Sequence, residues 1–246
     1  MSTPLSSHPR PNVAVDVAIL AVQPDTESQR AGLRVLVQKR TRSPRGWVLP
    51  GRFVRERETV EQTIAALFEE KAGITPTHFE PRLLTVVDDP TRDARAWTIS
   101  IVKSVGLPWD EAVQAHGEWL AVDDSGAVAR PLLFDHDEIL RLAVHDLRDR
   151  YETSPDPAHL LLESFTMQAL HQLHEGVLNA ELRWDTFKRR MEPQLVLTSP
   201  PPDAPRSVGR PPKYYSRRPD RTTSSDARWR LPGEGGGVPR PGSSTQ

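Results

Sequence analysis

Leu49-Pro50-Gly51-Arg52-Phe53-Val54, then Glu58, then Ala66-Leu67-Phe68-Glu69-Glu70-Lys71-Ala72-Gly73-Ile74 is the stretch on which the fold of this chain turns. Residues 47–51 read as a short strand ending in a sharp turn at Pro50-Gly51. From Thr59 the period becomes helical, with Val60, Ile64, Leu67 and Phe68 on one apolar face. Gly73 follows the last periodic residues and stops the helix. Upstream, residues 13–22 and 33–40 are β-branched runs joined by a polar loop, the pattern of a hairpin. Downstream, residues 82–87, 97–105 and 119–122 are strand-like. Strands around one internal helix indicate a mixed α/β sandwich rather than a series of βαβ repeats.

Further along, residues 134–151 return to helix. Asp135 stands three residues before Glu138, the spacing of a capping box, and Ile139, Leu140, Ala143, Leu147 and Tyr151 form the stripe to be buried. Residues 153–157 carry two prolines and mark a domain boundary. Beyond it, residues 165–178 are amphipathic through Met167, Leu170, Leu173 and Val177. A turn at residues 179–181 leads to a short second helix, 183–191, then a strand, a Pro-rich loop and another strand at 213–215. The expected organisation is a loose N-terminus (1–11), an α/β sandwich (12–152), a second domain (158–217) and a disordered basic tail (218–246) with almost nothing to bury.

Composition narrows the chemistry. The 246 residues include no Cys, which excludes a disulfide scaffold, a Cys-ligated zinc finger, an iron–sulfur centre and a thiol nucleophile. No apolar run approaches the ~20 residues that span a bilayer, and the N-terminus shows no signal-peptide pattern. The reading is a cytoplasmic protein without membrane partners. The formal charge of −1 hides an asymmetry, because residues 1–180 sum to −7 and residues 181–246 to +6. A basic third behind an acidic body marks either a nucleic-acid-binding module or a solvated basic tail. Helix, turn, basic helix and strand pair in series favour the first, with the second helix as the element that enters a major groove. Arg183, Thr186, Lys188, Arg189 and Arg190 lie on or beside that helix with Trp184 and Phe187 as packing anchors. Arg210 and Lys213 lie in or beside the loop between the strands, where they would meet DNA backbone or minor groove.

The opening stretch resembles the Nudix box, which runs Gly, five residues, Glu, seven residues, then Arg-Glu-U-x-Glu-Glu-x-Gly-U with U aliphatic. In the best register Arg52 stands at the Gly, Glu58 matches the first Glu, Ala66 and Leu67 replace Arg-Glu, Glu70 keeps the next Glu and Lys71 replaces the last. Gly73 and Ile74 close the motif. The resemblance implies a fold that cleaves nucleoside diphosphates on Mg²⁺ held by helix carboxylates. Leu67, Glu70 and Lys71 would share the metal-facing side, so two anions are lost and a cation gained. Glu69 is about 100° around the helix and substitutes poorly. No cofactor is therefore expected. Glu58, Glu69 and Glu70 read as a vestigial box, and only Glu58 and Glu70 would be left for a metal were hydrolysis retained.

End to end, the landmarks are similar to the Nudix-related transcriptional regulators of the NrtR type, a degenerate Nudix domain followed by a winged helix-turn-helix. Five stretches carry the likeness: Asp89-Pro90-Thr91-Arg92-Asp93-Ala94-Arg95, Phe134-Asp135-His136-Asp137-Glu138-Ile139, Phe165-Thr166-Met167-Gln168-Ala169-Leu170, Asp185-Thr186-Phe187-Lys188-Arg189-Arg190-Met191 and Gly209-Arg210-Pro211-Pro212-Lys213-Tyr214-Tyr215. The likeness covers about residues 12–217. It implies a ligand-responsive regulator, a repressor, that binds palindromic operator DNA as a homodimer and senses ADP-ribose or a related nucleotide or phosphosugar. Arg40, Arg45, Arg52, Arg92 and Arg95 are the cations near the expected pocket, with Arg52 taking over charge neutralisation from the metal. The rival reading is a Mg²⁺-dependent ADP-ribose pyrophosphatase with an appended domain. The pairs His136 and His145, and His171 and His174, lack a third ligand and are expected in surface or capping roles. No Ser sits in a recognisable triad. Trp97, Trp109 and Trp119 are expected in the core.

Overall fold

The computed structural model describes residues 7–24, 26, 30–75, 80–202 and 211–218. The loose ends expected at 1–6 and 219–246 lie outside the described residues, and 8–11 run without helix or strand. The sandwich is built on strand β1 (Asn12–Gln23). It pairs antiparallel with β2 (Gly32–Arg40), as the hairpin pattern predicts, and parallel with β6 (Thr98–Gly106) from Asn12 opposite Thr98 to Leu20 opposite Gly106. β5 (Arg82–Val87) closes one edge against β6, while β3 (Gly46–Val48) and β7 (Glu118–Ala121) pair with β2. The run at 47–51 is two strands rather than one. Leu49 and Pro50 leave the ladder, and β4 (Gly51–Phe53) crosses to pair with β1. The Leu49 amide, freed from the ladder, donates instead to His136 Nδ1 at 2.9 Å.

Because β1 is central, both of its faces are buried, and its near-continuous apolar run follows from that. Val15, Val17, Ile19 and Ala21 meet helix α1 (Val60–Leu67) on one side. Ala18, Leu20 and Val22 meet helices α3 (His136–Tyr151) and α4 (Met167–Leu178) on the other. Each fully buried Leu in these layers, such as Leu67 or Leu140, contributes roughly 1.5–3 kcal/mol. Helix α1 is started by Thr59, whose hydroxyl accepts from the Gln62 amide while the Thr59 amide donates to Gln62 Oε1. Its last turn, Phe68–Ala72, widens to π-helix, and Gly73 ends it at φ +68°, a left-handed conformation suited to glycine.

The capping box expected at Asp135 does not form. Asp135 precedes α3 but its carboxylate is taken by Arg92, and Asp137 instead accepts the Leu132 amide. Two short elements escaped the pattern reading: helix α2 (Trp109–Ala112) and strand β8 (Phe165–Thr166). After β8, α4 is capped by the Thr166 hydroxyl on the Ala169 amide and ends at Asn179 in a left-handed conformation. Helix α5 (Trp184–Met191) and strands β9 (Leu195–Thr198) and β10 (Tyr214–Arg217) follow, with β8, β10 and β9 forming a small antiparallel sheet.

The apolar core does not stop at the break 153–157. Tyr151, Leu170, Leu173, Val177, Phe187 and Met191 belong to the same buried cluster as Leu20 and Val35. Helix α4 lies so close to the sheet that a Cβ on Gly176 would sit 2.7 Å from Val22. The break itself is a buried polar knot around Asp156. Its carboxylate accepts from the Tyr151 hydroxyl, the amides of Leu160 (2.8 Å) and Leu161 (3.0 Å), and the Arg217 guanidinium. Trp109 and Trp119 pack edge to face within the fold, whereas Trp97, expected in the core, is 46% exposed beside the β6 start.

Candidate functional site: a cation-filled box and a basic reading helix

The remnant of the box folds around Arg52. This side chain lies under the loop from β4 to α1, with one guanidinium nitrogen 2.6 Å from Glu58 and Nε 3.4 Å from Glu70. Glu58 also accepts the Arg55 amide at 2.9 Å and the Thr63 hydroxyl at 3.0 Å. The Arg52 hydrogen bond, aided by the Arg55 amide, holds the Glu58 carboxyl down to about 2. Lys71 donates from Nζ to the Gly51 carbonyl, and its own carbonyl accepts from Gln38 at 2.8 Å. Glu69 is exposed. Leu67, read both on the apolar stripe and on the Glu70 face, points into the core and is fully buried. The helix-face argument assumed a regular turn, and the buried Leu follows the apolar stripe instead.

Next to this remnant lies a buried charge network that the sequence reading missed. Asp16 on β1 accepts the Ser100 hydroxyl at 2.6 Å and Arg92 at 3.1 Å, and lies 3.7 Å from His136 Nε2. Arg92 grips Asp135 with two bonds of 2.8 and 2.7 Å. The available signal was a single Asp inside an otherwise apolar strand, since a charge is rarely buried unpaired. Burial lowers the His136 pKa, so the ring is neutral and serves as the acceptor for Leu49. Of the surface or capping roles expected of them, His136 and His174 fill neither: both are buried, and His136 accepts an amide from the β3–β4 connection. His145 is exposed, and His171 bonds the Leu182 carbonyl at 2.8 Å.

Arg95 pairs with Asp93 at 2.6 Å and sits 5.1 Å from the centre of the Phe134 ring, which also has Arg40 at 6.0 Å. Phe134 holds φ +63°, a conformation that costs a bulky residue about 1–3 kcal/mol and persists only where its surroundings enforce it. Of the five cations expected near a pocket, Arg40, Arg52, Arg92 and Arg95 therefore adjoin the box remnant and its network. Arg45 stands apart, bonded to the Thr41 carbonyl of its own loop. A cavity of 490 Å³ lies at the opposite end of the sheet, but its Arg82 and Arg150 both pair with Asp146.

The donor set does not fit a divalent cation. Glu58 and Glu70 are already neutralised by Arg52, and the neighbouring position holds an ammonium. Among the described residues no group of three or more His, Asp or Glu is placed to hold a metal ion.

Helix α5, joined to the far end of α3 through His174, carries a different set of cations. Helix α5 buries Phe187 and Met191 and turns Arg183, Thr186, Arg189 and Arg190 to solvent, with Lys188 half-buried. None of the four cations has an ion pair among the described residues. Trp184, expected as an anchor, is 43% exposed and only its edge meets His171. Lys213 is exposed at the start of β10, while Arg210 lies outside the described residues. An exposed basic helix set on a partner helix beside a two-stranded wing is the geometry that enters a major groove.

Comparison with known proteins agrees with both halves. Residues 13–152 match the family described as NUDIX domain, and residues 157–216 match the NrtR DNA-binding winged helix domain. The chain is 27% identical over 196 residues to the ADPR responsive transcriptional repressor NtrR of Acinetobacter baylyi, covering 76% of this chain and 74% of that protein. The Shewanella oneidensis NrtR solved in complex with a 27mer DNA is 28% identical, with a TM-score of 0.66 over 85% of this chain and 94% of that one. A MutT/nudix family protein of Enterococcus faecalis shares the fold, at 21% identity and a TM-score of 0.68 over 87% and 90% of the two chains. No helix among the described residues is long and apolar enough to cross a membrane. The chain belongs to the Nudix family, in the group that joins a Nudix domain to an NrtR-type winged helix.

Proposed function

We propose that this protein is a transcriptional repressor that binds operator DNA through α5 and its wing and is released by ADP-ribose or a closely related nucleotide held in the Nudix domain. The observation that carries this reading is the exposed basic face of α5, without an ion pair among the described residues, on a helix-turn-helix whose core is continuous with the Nudix domain. Similarity to the ADPR responsive repressor of Acinetobacter baylyi supports the effector, and similarity to the DNA-bound Shewanella oneidensis NrtR supports the partner. The protein acts in the cytoplasm, where its DNA is, and as a homodimer, because two-fold symmetry matches one recognition helix to each half of a palindrome. Genes of NAD or sugar metabolism are the targets that such an effector suits.

Helix α3 supplies the coupling. Its sixteen residues span ~24 Å from Asp135 and His136 at the box to Tyr151, which touches the Asp156 knot and the His174 ring. His174 in turn packs on Phe187 of α5. A ligand that shifts the Arg92–Asp135 pair would move one end of a rod whose other end seats the reading helix.

The test is fluorescence anisotropy with labelled DNA from upstream of the protein's own gene, titrated with ADP-ribose. Sequence-preferring binding that ADP-ribose reverses is the expected result. Binding indifferent to both sequence and ADP-ribose would sink the reading, and Mg²⁺-dependent turnover of ADP-ribose would replace it with the hydrolase.

A further inference from the structure

The cations around the box divide into two kinds. Arg52, Arg92 and Arg95 each hold a carboxylate. Arg40 and Lys71 hold none among the described residues, and their acceptors are backbone carbonyls: Pro44 and Ser43 for Arg40, Gly51 for Lys71. They are also neighbours. Gln38 ties the Lys71 carbonyl to β2, and Arg40 lies two residues further along the same face of that strand. Desolvation lowers the Lys71 pKa, and although Asp16 opposes this, Arg40 and Arg52 push the same way. Neither cation has a direct ion pair among the described residues, although Asp16 and Glu70 act on Lys71 and Asp93 on Arg40 from further off, and an anion lying across both would relieve their mutual repulsion.

We propose that the degenerate box is a diphosphate site that works without a divalent cation, in which Lys71 and Arg40 hold the anion directly while Arg52 serves as the fixed counter-ion of Glu58 and Glu70. A metal in an intact box draws a pyrophosphate to a cluster of carboxylates. Here the carboxylates are spoken for, and the positive charge is part of the chain. Lys71 supplies a point charge with N–H groups beyond the one on Gly51. Arg40 supplies a guanidinium nitrogen that has no described partner and a planar face lying toward Phe134. This inference deepens the ADP-ribose reading and rests on it for the choice of a diphosphate.

The experiment is calorimetric titration of the full chain with inorganic pyrophosphate, first in EDTA and then in excess Mg²⁺. Binding is expected in EDTA, with Mg²⁺ adding nothing to it. Lys71→Met and Arg40→Met should each weaken it about tenfold or more, the loss of one charge-assisted contact, while Lys71→Arg retains most of it. Thermal melts establish that each variant is folded. Arg52→Gln should free Glu58 and Glu70 and create a Mn²⁺ site, visible by electron paramagnetic resonance, that the parent lacks. No pyrophosphate binding in EDTA, binding that appears only with Mg²⁺, or Met variants that bind like the parent would each overturn the proposal. Competition separates it from the reading beneath it: pyrophosphate that binds in EDTA but is not displaced by ADP-ribose removes the effector and leaves the site.

Discussion

The box remnant and helix α5 present the same residue type in opposite states. At the box, Arg52 and Arg92 are buried and each bridges two carboxylates, so their charge is spent inside the protein. At α5, Arg183, Arg189 and Arg190 are exposed and unpaired among the described residues. A buried arginine with its partners specifies geometry, and removing either member leaves an uncompensated charge. An exposed arginine contributes little to stability and is available to a phosphate or to a guanine edge. Counting Arg residues could not separate structural from functional sites in this chain. Partnering does.

The largest effect is expected at the Asp156 knot, the most thoroughly paired carboxylate among the described residues. Asp156→Ala leaves the Tyr151 hydroxyl without its acceptor and Arg217 without its carboxylate, and should cost about 3–5 kcal/mol in urea unfolding. Loss below ~1 kcal/mol would mean that the knot is a surface pair in disguise.

His174 is a third case, buried yet unpaired, with neither ring nitrogen bonded. Desolvation, opposed by Asp156, brings its pKa down to about 4. The folded chain therefore holds it neutral while the unfolded chain protonates it at its ordinary value of 6.5. Stability is complete above that value and falls as pH drops toward 4, by at most roughly 3 kcal/mol. His174→Leu should remove that slope between pH 6.5 and 4 in denaturation series, and an unchanged slope would assign it to other groups.

At the exposed end, Arg189→Ala with Arg190→Ala should leave the melting temperature unchanged and collapse the preference for operator over random DNA. The loss is about 1–3 kcal/mol for each bidentate base contact removed. Retention of operator preference in the double variant places the reading surface elsewhere. The smallest effect belongs to Lys213→Ala, which should weaken binding to all sequences alike and lower the salt slope by about one. A change in sequence preference there would make it a base contact instead.

Much of this was legible early. The hairpin at β1–β2, the helix stop at Gly73, the two helices of the reading motif and the outward Arg189 and Arg190 follow from local periodicity and turn chemistry. Leu67 and Asp135 show where that reasoning stops. Spacing on an ideal helix put Leu67 on the apolar stripe and on the Glu70 face at once, and the β1 core decided for the stripe; it made Asp135 a capping-box residue, and Arg92 took its carboxylate. Trp97 failed for the complementary reason, since an aromatic next to a strand is buried only if something covers it, and residue spacing says nothing about cover.

The amino-acid sequence alone determined the order of the elements, the absence of thiol chemistry, the loss of the box carboxylates and the transfer of positive charge to the C-terminal third. Each of these is a property of residue type and spacing. Only the tertiary structure decided which cations are free. Asp16 and Arg92 are separated by 76 positions, and Asp156 and Arg217 by 61. Whether such a charge meets a carboxylate or water depends on how strands and loops distant in the chain close on one another. Coulomb attraction in a desolvated interior acts through that distance, and position along the chain does not carry it.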